Sequence, residues 1–239
     1  VIDELPKINS KERTKSELSE LTLALQCGGS DSYSGITANP ALGFASDLLV
    51  QYGGSTILSE TPEIYGAEHL LIDRALKESD IKKLINQIKW WKNYTKINDG
   101  NLDNNPSPGN KKGGLTTILE KSLGAVAKSG NSTMINVLDY AEKISEKGFH
   151  FMDSPGYDPV SVTGQVASGS NLICFTTGRG SCFGFKPTPS LKISSNTNMY
   201  NNLEEDMDIN AGTIMDGIHS IEEIGTKIFN ELIEVASGK

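Results

Sequence analysis

The stretch LTLALQCGGSDSYSGITANPALGFASDLLVQYGGSTILSE (21–60) decides the fold. It opens with an apolar run of strand length, LTLALQC (21–27), stopped by Gly28 and Gly29. In PALGFASDLLVQYG (40–53), Leu42, Ala45, Leu48, Leu49 and Tyr52 recur at three and four residues, the spacing of one helical face. Pro40 suits the first helical turn and Asn39 is placed to cap it. Gly53 and Gly54 end that helix, and STILSE (55–60) reads as a second strand. Strand, glycine-rich turn, helix, strand is the βαβ grammar of a parallel sheet.

The same reading extends outward. Residues 1–18 are polar, of mixed charge and without periodicity, as in a linker or arm. Thr61 and Pro62 open a helix running through Ala67, Leu70, Leu71 and Ala75, and an amphipathic helix covers about 79–98. The segment 98–114 is rich in Asn, Asp, Pro and Gly, which marks either a disordered linker or a functional loop. Helices are expected at 115–130, more weakly at 134–147, at 162–169 and at 219–238. Strands are expected at 149–154, 171–177 and 189–195. The fold class is therefore α/β: an open, mostly parallel Rossmann-like sheet with helices on both faces.

Composition narrows the function. The 239 residues carry 22 Lys+Arg against 30 Asp+Glu, a net charge of −8, which argues against nucleic acid or an anionic membrane as partner. No apolar run reaches the length of a membrane-spanning helix, and the start of the chain does not read as a signal peptide. Three cysteines make neither a disulfide framework nor a zinc pattern. The first residue is Val1 rather than Met, as in a processed product or a piece of a longer protein.

Ligands of open α/β sheets bind beyond the carboxyl ends of the strands. Four expected strands are followed there by polar turns: 27–39, 59–63, 153–161 and 176–181. Together these turns offer hydroxyls, backbone N–H groups, the carboxylates Asp31, Glu60, Asp153 and Asp158, the Cys27 thiol and the Arg179 guanidinium. That inventory suits a polyhydroxy acid, with Arg179 forking onto a carboxylate and the carboxylates acting as base or metal ligand. Blander readings compete. A glycine-rich turn is often only a turn, Cys27 ends an apolar strand as a structural thiol would, His69 on a helix is more often a surface or satisfied histidine than a ligand, and His150 and His219 have no motif around them. The full dinucleotide fingerprint is absent from 178–184, which disfavours a nucleotide-binding Rossmann domain.

Five segments, 25–43, 57–70, 104–125, 152–181 (MDSPGYDPVSVTGQVASGSNLICFTTGRGS) and 206–212 (DMDINAG), resemble the altronate/galactarate dehydratase family. SPGYDPVSVTGQ and WWKNYT resemble its altronate branch. The resemblance implies a C-terminal domain at 19–239, with 1–18 a linker or arm from a missing N-terminal region. It implies a cytoplasmic hydro-lyase of carbohydrate-acid catabolism that uses a divalent metal, Fe²⁺ or Mn²⁺, to dehydrate D-altronate to 2-keto-3-deoxy-D-gluconate. Galactarate dehydration, sulfolactate cleavage and a sugar-acid-binding module inactive in isolation are the alternatives. Within that frame Glu60, Lys111 and Asp31 are the expected catalytic residues. Ser30, Ser34, Thr37, Asn39, Thr177, Gly178, Arg179 and Gly180 are expected to bind substrate, the two glycines through their N–H groups. Cys27 and Glu60 are expected to hold the metal. The expected partners are the sugar acid, the missing domains and a second copy of the chain.

Overall fold

The computed structural model describes residues 2–12 and 14–239, with the backbone alone at Asn104; Val1 and Arg13 of the expected arm lie outside the described residues. The strands are β1 (Thr22–Cys27), β2 (Ser55–Ser59), β3 (Met134–Leu138), β4 (Phe149–Met152), β5 (Leu172–Thr177), β6 (Ser190–Ser194) and β7 (Ile209–Asn210). They form one sheet in the order β3-β4-β2-β1-β5-β6-β7, and every pairing is parallel. The helices are α1 (Leu5–Asn9), α2 (Ala38–Gln51), α3 (His69–Ile72), α4 (Glu78–Ile97), α5 (Pro108–Lys112), α6 (Ile118–Ala127), α7 (Asp158–Ser168), α8 (Thr197–Asn202) and α9 (Ile221–Ser237).

Central strand β1 is buried on both faces, which is why its sequence reads as a continuous apolar run. Leu23 and Leu25 join Leu42, Ala45 and Leu49 of α2 and Ile224, Ile228 and Leu232 of α9 in the main core. Ala24 and Ile173 face the other way and meet Val162 of α7. Helices thus cover both faces, and each fully buried Leu or Ile contributes about 1.5–3 kcal/mol. No helix among the described residues is long and apolar enough to cross a membrane.

Several expectations change. The helix expected at 134–147 is strand β3 followed by turns. Met134, Val137 and Leu138 satisfy a helical spacing, but Val137 pairs with Phe151, and its N–H donates to Asp80 Oδ1 at 3.0 Å. The helix expected from Thr61 to Ala75 is a 3₁₀ turn at Thr61–Ile64 and the short α3, separated at Gly66, whose φ is +90°. Helix α7 starts at Asp158 rather than 162, with Pro159 in its first turn. Asn39 is not the cap of α2 but lies inside it; the cap position is Thr37. The strand β7 was not expected. The segment 98–114 is ordered: α5 carries a capping box between Ser107 and Asn110.

Candidate functional site

An all-parallel sheet brings every strand's carboxyl end to one edge, so the turns after β1, β2, β4 and β5 meet there. From β1 the chain crosses to β2 on one side, while β5 continues to β6 on the other. The crevice at such a switch point is the preferred ligand site of this architecture.

Glu60 follows β2 directly, is buried, and takes a left-handed backbone with φ +76°. That conformation costs a non-glycine residue roughly 1–3 kcal/mol and persists only where the surroundings impose it. Here Ser154, after β4, supplies the restraint. Its Oγ accepts the Glu60 N–H at 3.0 Å and its carbonyl accepts the Thr61 N–H at 3.1 Å. The turn aims Glu60 and Glu63 at the end of β1, where one donor atom from each of Cys27, Glu60 and Glu63 lies within 4.8 Å of the others. Helix α6 brings two lysines to this triad. Lys121 pairs with Glu63, and fully buried Lys128, at the helix end, donates to Cys27 Sγ at 2.9 Å. Asp158 opens α7 and accepts from Gln26 Nε2 at 2.8 Å. Its carboxylate packs on Gly28, where a Cβ would come within 2.4 Å of Oδ2 and 2.7 Å of the Phe175 ring, so a side chain at 28 would displace them.

These groups surround a cavity of about 160 Å³ lined by Cys27, Glu60, Glu63, Asn110, Lys121 and Asp158. A second cavity of about 220 Å³ shares Cys27 and Lys121 with the first and continues past Ile36 and Leu123. A wider groove of about 620 Å³ runs along α4 beside Trp90 and Tyr140; it shares no residue with the acidic cavity.

Burial, then the neighbouring Glu63, pushes the Glu60 carboxyl well above the ordinary carboxylate range. Burial also raises Asp158, opposed by its hydrogen bond from Gln26. Burial alone would raise Glu63, but Lys121 outweighs it and leaves that group below its ordinary value. Lys121 shows the complement: burial would lower it, yet Glu63, Cys27 and Glu60 hold it above the lysine range. The site therefore pairs an ion-paired carboxylate, Glu63, with two carboxyls that burial shifts upward, Glu60 strongly and Asp158 against its hydrogen bond from Gln26.

The other expected residues fall into two groups. Asp31 is a scaffold hub: its carboxylate accepts from Ser34 N–H, Ser34 Oγ, Ser195 Oγ and Asn196 Nδ2 at 2.7–2.9 Å. Thr37 Oγ1 donates to Ser195 O at 2.7 Å, or equally to Tyr33 O at 2.9 Å. Asn39 accepts from Thr176 Oγ1 at 2.6 Å and donates to Gly124 O at 2.8 Å. Ser30 is buried, and its carbonyl accepts from Asn110 Nδ2 at 2.8 Å, which fixes the 98–114 segment onto the β1 turn. The expectation of free N–H groups at Gly178 and Gly180 is corrected. Gly178 donates to Gly29 O at 3.1 Å and Gly180 to Thr177 Oγ1 at 3.1 Å, so both donors and that hydroxyl are engaged inside the turn.

Arg179, by contrast, is exposed. Its guanidinium lies on Gly109 of α5, the neighbour of cavity-lining Asn110, and has no hydrogen-bond or ion-pair partner among the described residues. Lys111 is also exposed on α5 but does not reach the cavity wall. Cys174 is core, and Trp91 donates Nε1–H to Asp153 Oδ1 at 2.8 Å while Trp90 stays exposed.

Glu63, Lys121 and Lys128 were not singled out in the sequence. One signal was present: Lys121, Ala125 and Lys128 share the buried stripe of α6, where lysines are rare unless paired.

The family pattern described as D-galactarate/altronate dehydratase, C-terminal, matches residues 18–239. The chain is 45% identical to galactarate dehydratase (L-threo-forming) of Escherichia coli (strain K12), covering 98% of this chain and 45% of that protein. It is 43% identical to altronate dehydratase of Bacillus subtilis (strain 168), over 95% and 46% of the two chains. It is 32% identical to the (2R)-sulfolactate sulfo-lyase subunit beta of Chromohalobacter salexigens, over 95% and 59%. The chain thus spans about half the length of the two dehydratases it matches. With this match over nearly its whole length, the chain belongs to the D-galactarate/altronate dehydratase family and carries its C-terminal domain.

Proposed function

We propose that this chain supplies the proton-transfer and metal-holding groups of a hydro-lyase that removes water from a sugar acid, D-altronate, to give 2-keto-3-deoxy-D-gluconate. The observation that carries the reading is the convergence of Cys27, Glu60 and Glu63 beside two buried lysines at the sheet's switch point. Galactarate is the alternative substrate, favoured by the 45% identity to a galactarate dehydratase.

The chemical problem is twofold. The hydrogen beside a carboxylate is weakly acidic, and hydroxide leaves poorly. One thiol and two carboxylates within 4.8 Å fit a divalent ion of intermediate softness, Fe²⁺ or Mn²⁺. When bound, such an ion supplies Lewis acidity toward the carboxylate and hydroxyl oxygens. Cys27, Glu60 and Glu63 would hold it, with Lys121 and Lys128 balancing the remaining charge. Arg179 binds a substrate carboxylate through its uncommitted guanidinium. Asp158 accepts the proton from the carbon next to the carboxylate and passes it to the departing hydroxyl, so that water leaves and an enol remains. The enol then tautomerises to the keto acid. Burial of Asp158 moves its pKa in the direction a general base at neutral pH requires, and such a group is typically worth about 10²–10⁴ in rate. The exposed side chains of Ile36 and Leu123, which line the second cavity, suit closure by another part of the enzyme or by a second copy. A cytoplasmic location goes with this proposal.

The test uses the full-length protein carrying this domain, loaded anaerobically with Fe²⁺ and given D-altronate or galactarate, with the 2-keto acid trapped as its semicarbazone. Keto-acid formation, reduced about 10²–10⁴-fold in Asp158→Asn, is the expected result. An Asp158→Asn enzyme with wild-type turnover, or no keto acid from either substrate, overturns the assignment.

A further inference from the structure

Lys128 is an unusual buried lysine. It is 1% exposed, and among the described residues its ammonium has a single hydrogen-bond partner, the Cys27 sulfur at 2.9 Å. A lysine in a protein interior normally meets a carboxylate. Here the nearby Glu63 is taken by Lys121, and Lys128 faces a thiol instead. Cys27 lines both cavities while Lys128 lines neither, so a small oxidant reaches the sulfur first and finds the nitrogen directly behind it. The separation of 2.9 Å is close to what two single bonds through one intervening atom span.

We infer that Cys27 and Lys128 form a reversible covalent cross-link through one oxygen atom, N–O–S, when the metal-free protein meets dioxygen. The step balances. An amine, a thiol and O₂ give the N–O–S bridge and one water. The N–O and S–O bonds form, the O–O bond breaks, and one N–H and the S–H proton go to the water. Sulfur and nitrogen each give up two electrons, and dioxygen takes the four. Four thiol equivalents reverse the change: the first pair attacks the sulfur, breaks S–O and frees the Cys27 thiol with the nitrogen left as N–OH, and the second pair reduces the N–O bond to return the amine and one water, two disulfides being formed in all. The link withdraws the thiol from the triad with Glu60 and Glu63, so it marks a modification site that disables the proposed metal site. The other cysteines serve as internal controls. Cys174 is enclosed in the core, and Cys182 is exposed with no hydrogen-bonded amine among the described residues.

The cross-link is read by mass and does not depend on the dehydratase reading. Protein purified anaerobically in reductant and freed of metal is exposed to air-saturated buffer, then examined intact and after digestion. The expected result is a gain of one oxygen less two hydrogens, a single ion joining the peptides that hold Cys27 and Lys128, and reversal by a thiol reductant. Lys128→Arg should yield no such ion. Exposed wild-type protein with Cys27 oxidised but unlinked, with a direct S–N bond, or with unchanged mass overturns the proposal. Because that readout uses the wild-type chain, a variant that fails to fold does not decide it. Prior loading with Mn²⁺ should slow the linkage; a failure of that protection alone counts against the metal reading and not against the cross-link.

Discussion

Removing the Asp31 carboxylate separates a residue that holds the turn after β1 from one that takes part in the reaction. Its Oδ1 accepts from the Ser34 N–H at 2.9 Å, Ser34 Oγ at 2.8 Å and Ser195 Oγ at 2.7 Å, and its Oδ2 accepts from Asn196 Nδ2 at 2.9 Å. In Asp31→Ala the two hydroxyls can turn to other acceptors. The two nitrogen donors keep only their second partners: Asp31 O at 3.2 Å for the Ser34 N–H, and Gly178 O at 2.9 Å for the Asn196 amide. Losing the charged acceptor of a buried donor costs roughly 1–3 kcal/mol each, so Asp31→Ala should lose about 2–6 kcal/mol. That is a large share of the 5–15 kcal/mol or so that holds a typical domain together. In urea, with a slope of about 2–3 kcal/mol/M, the midpoint should fall by about 1–3 M. Asp31→Asn keeps Oδ1 and loses one bond, so it should cost less and keep turnover per folded molecule within about threefold. An Asp31→Asn enzyme of unchanged stability whose kcat drops by orders of magnitude would refute the scaffold role and restore Asp31 as a catalyst.

Three further outcomes are expected. In Gly43→Ala the new Cβ would sit 2.2 Å from Ala127 O and 2.9 Å from Gly130 N. Backbone on the far side cannot step aside cheaply, so thermal unfolding should show a loss of about 1–3 kcal/mol or more, together with a displaced α6. Stability of the metal-free protein should fall as pH rises from the ordinary carboxylate range toward neutrality. Burial, followed by Glu63, raises Glu60, and burial raises Asp158, so the folded chain retains protons that the unfolded chain has released. The stabilisation is therefore complete at low pH and is lost on the way up. Glu63, lowered by Lys121, carries the opposite sign, and Glu60→Gln should flatten the fall in denaturation midpoints measured across that range. Arg179→Met should raise KM for the sugar acid at least tenfold with kcat little changed, since an exposed side chain without internal partners supplies binding rather than support; unchanged KM would remove Arg179 from the site.

The strands nearest the site were legible because each is a short apolar run closed by glycine or a polar turn, as at 21–27, 55–60 and 171–177. Strand β3 was not, because Met134, Val137 and Leu138 fit helical spacing as well as a strand, and only pairing with β4 resolves them. Glu60 could be found since its place directly after β2 is a local property. Its companions could not. Lys121 lies 58 residues from Glu63 and Lys128 lies 101 residues from Cys27, so their partnership follows from how α6 packs rather than from any motif. Side chains such as Thr37 and Asn39 show the reverse difficulty. Polar residues in a strand-end turn look like ligand contacts, but in a buried turn their first demand is for internal hydrogen bonds, and those are made here.

In the proposed reaction Cys27, Glu60 and Glu63 act together as a metal site. The most direct measurement is an anomalous difference map from crystals of the protein soaked in Mn²⁺ under reducing conditions. One peak is expected within coordination distance of Cys27 Sγ and a carboxylate oxygen from each glutamate, lost in Glu60→Gln. Crystals soaked to saturation with no peak there, or with the peak elsewhere and Lys128 still on the sulfur, would contradict it.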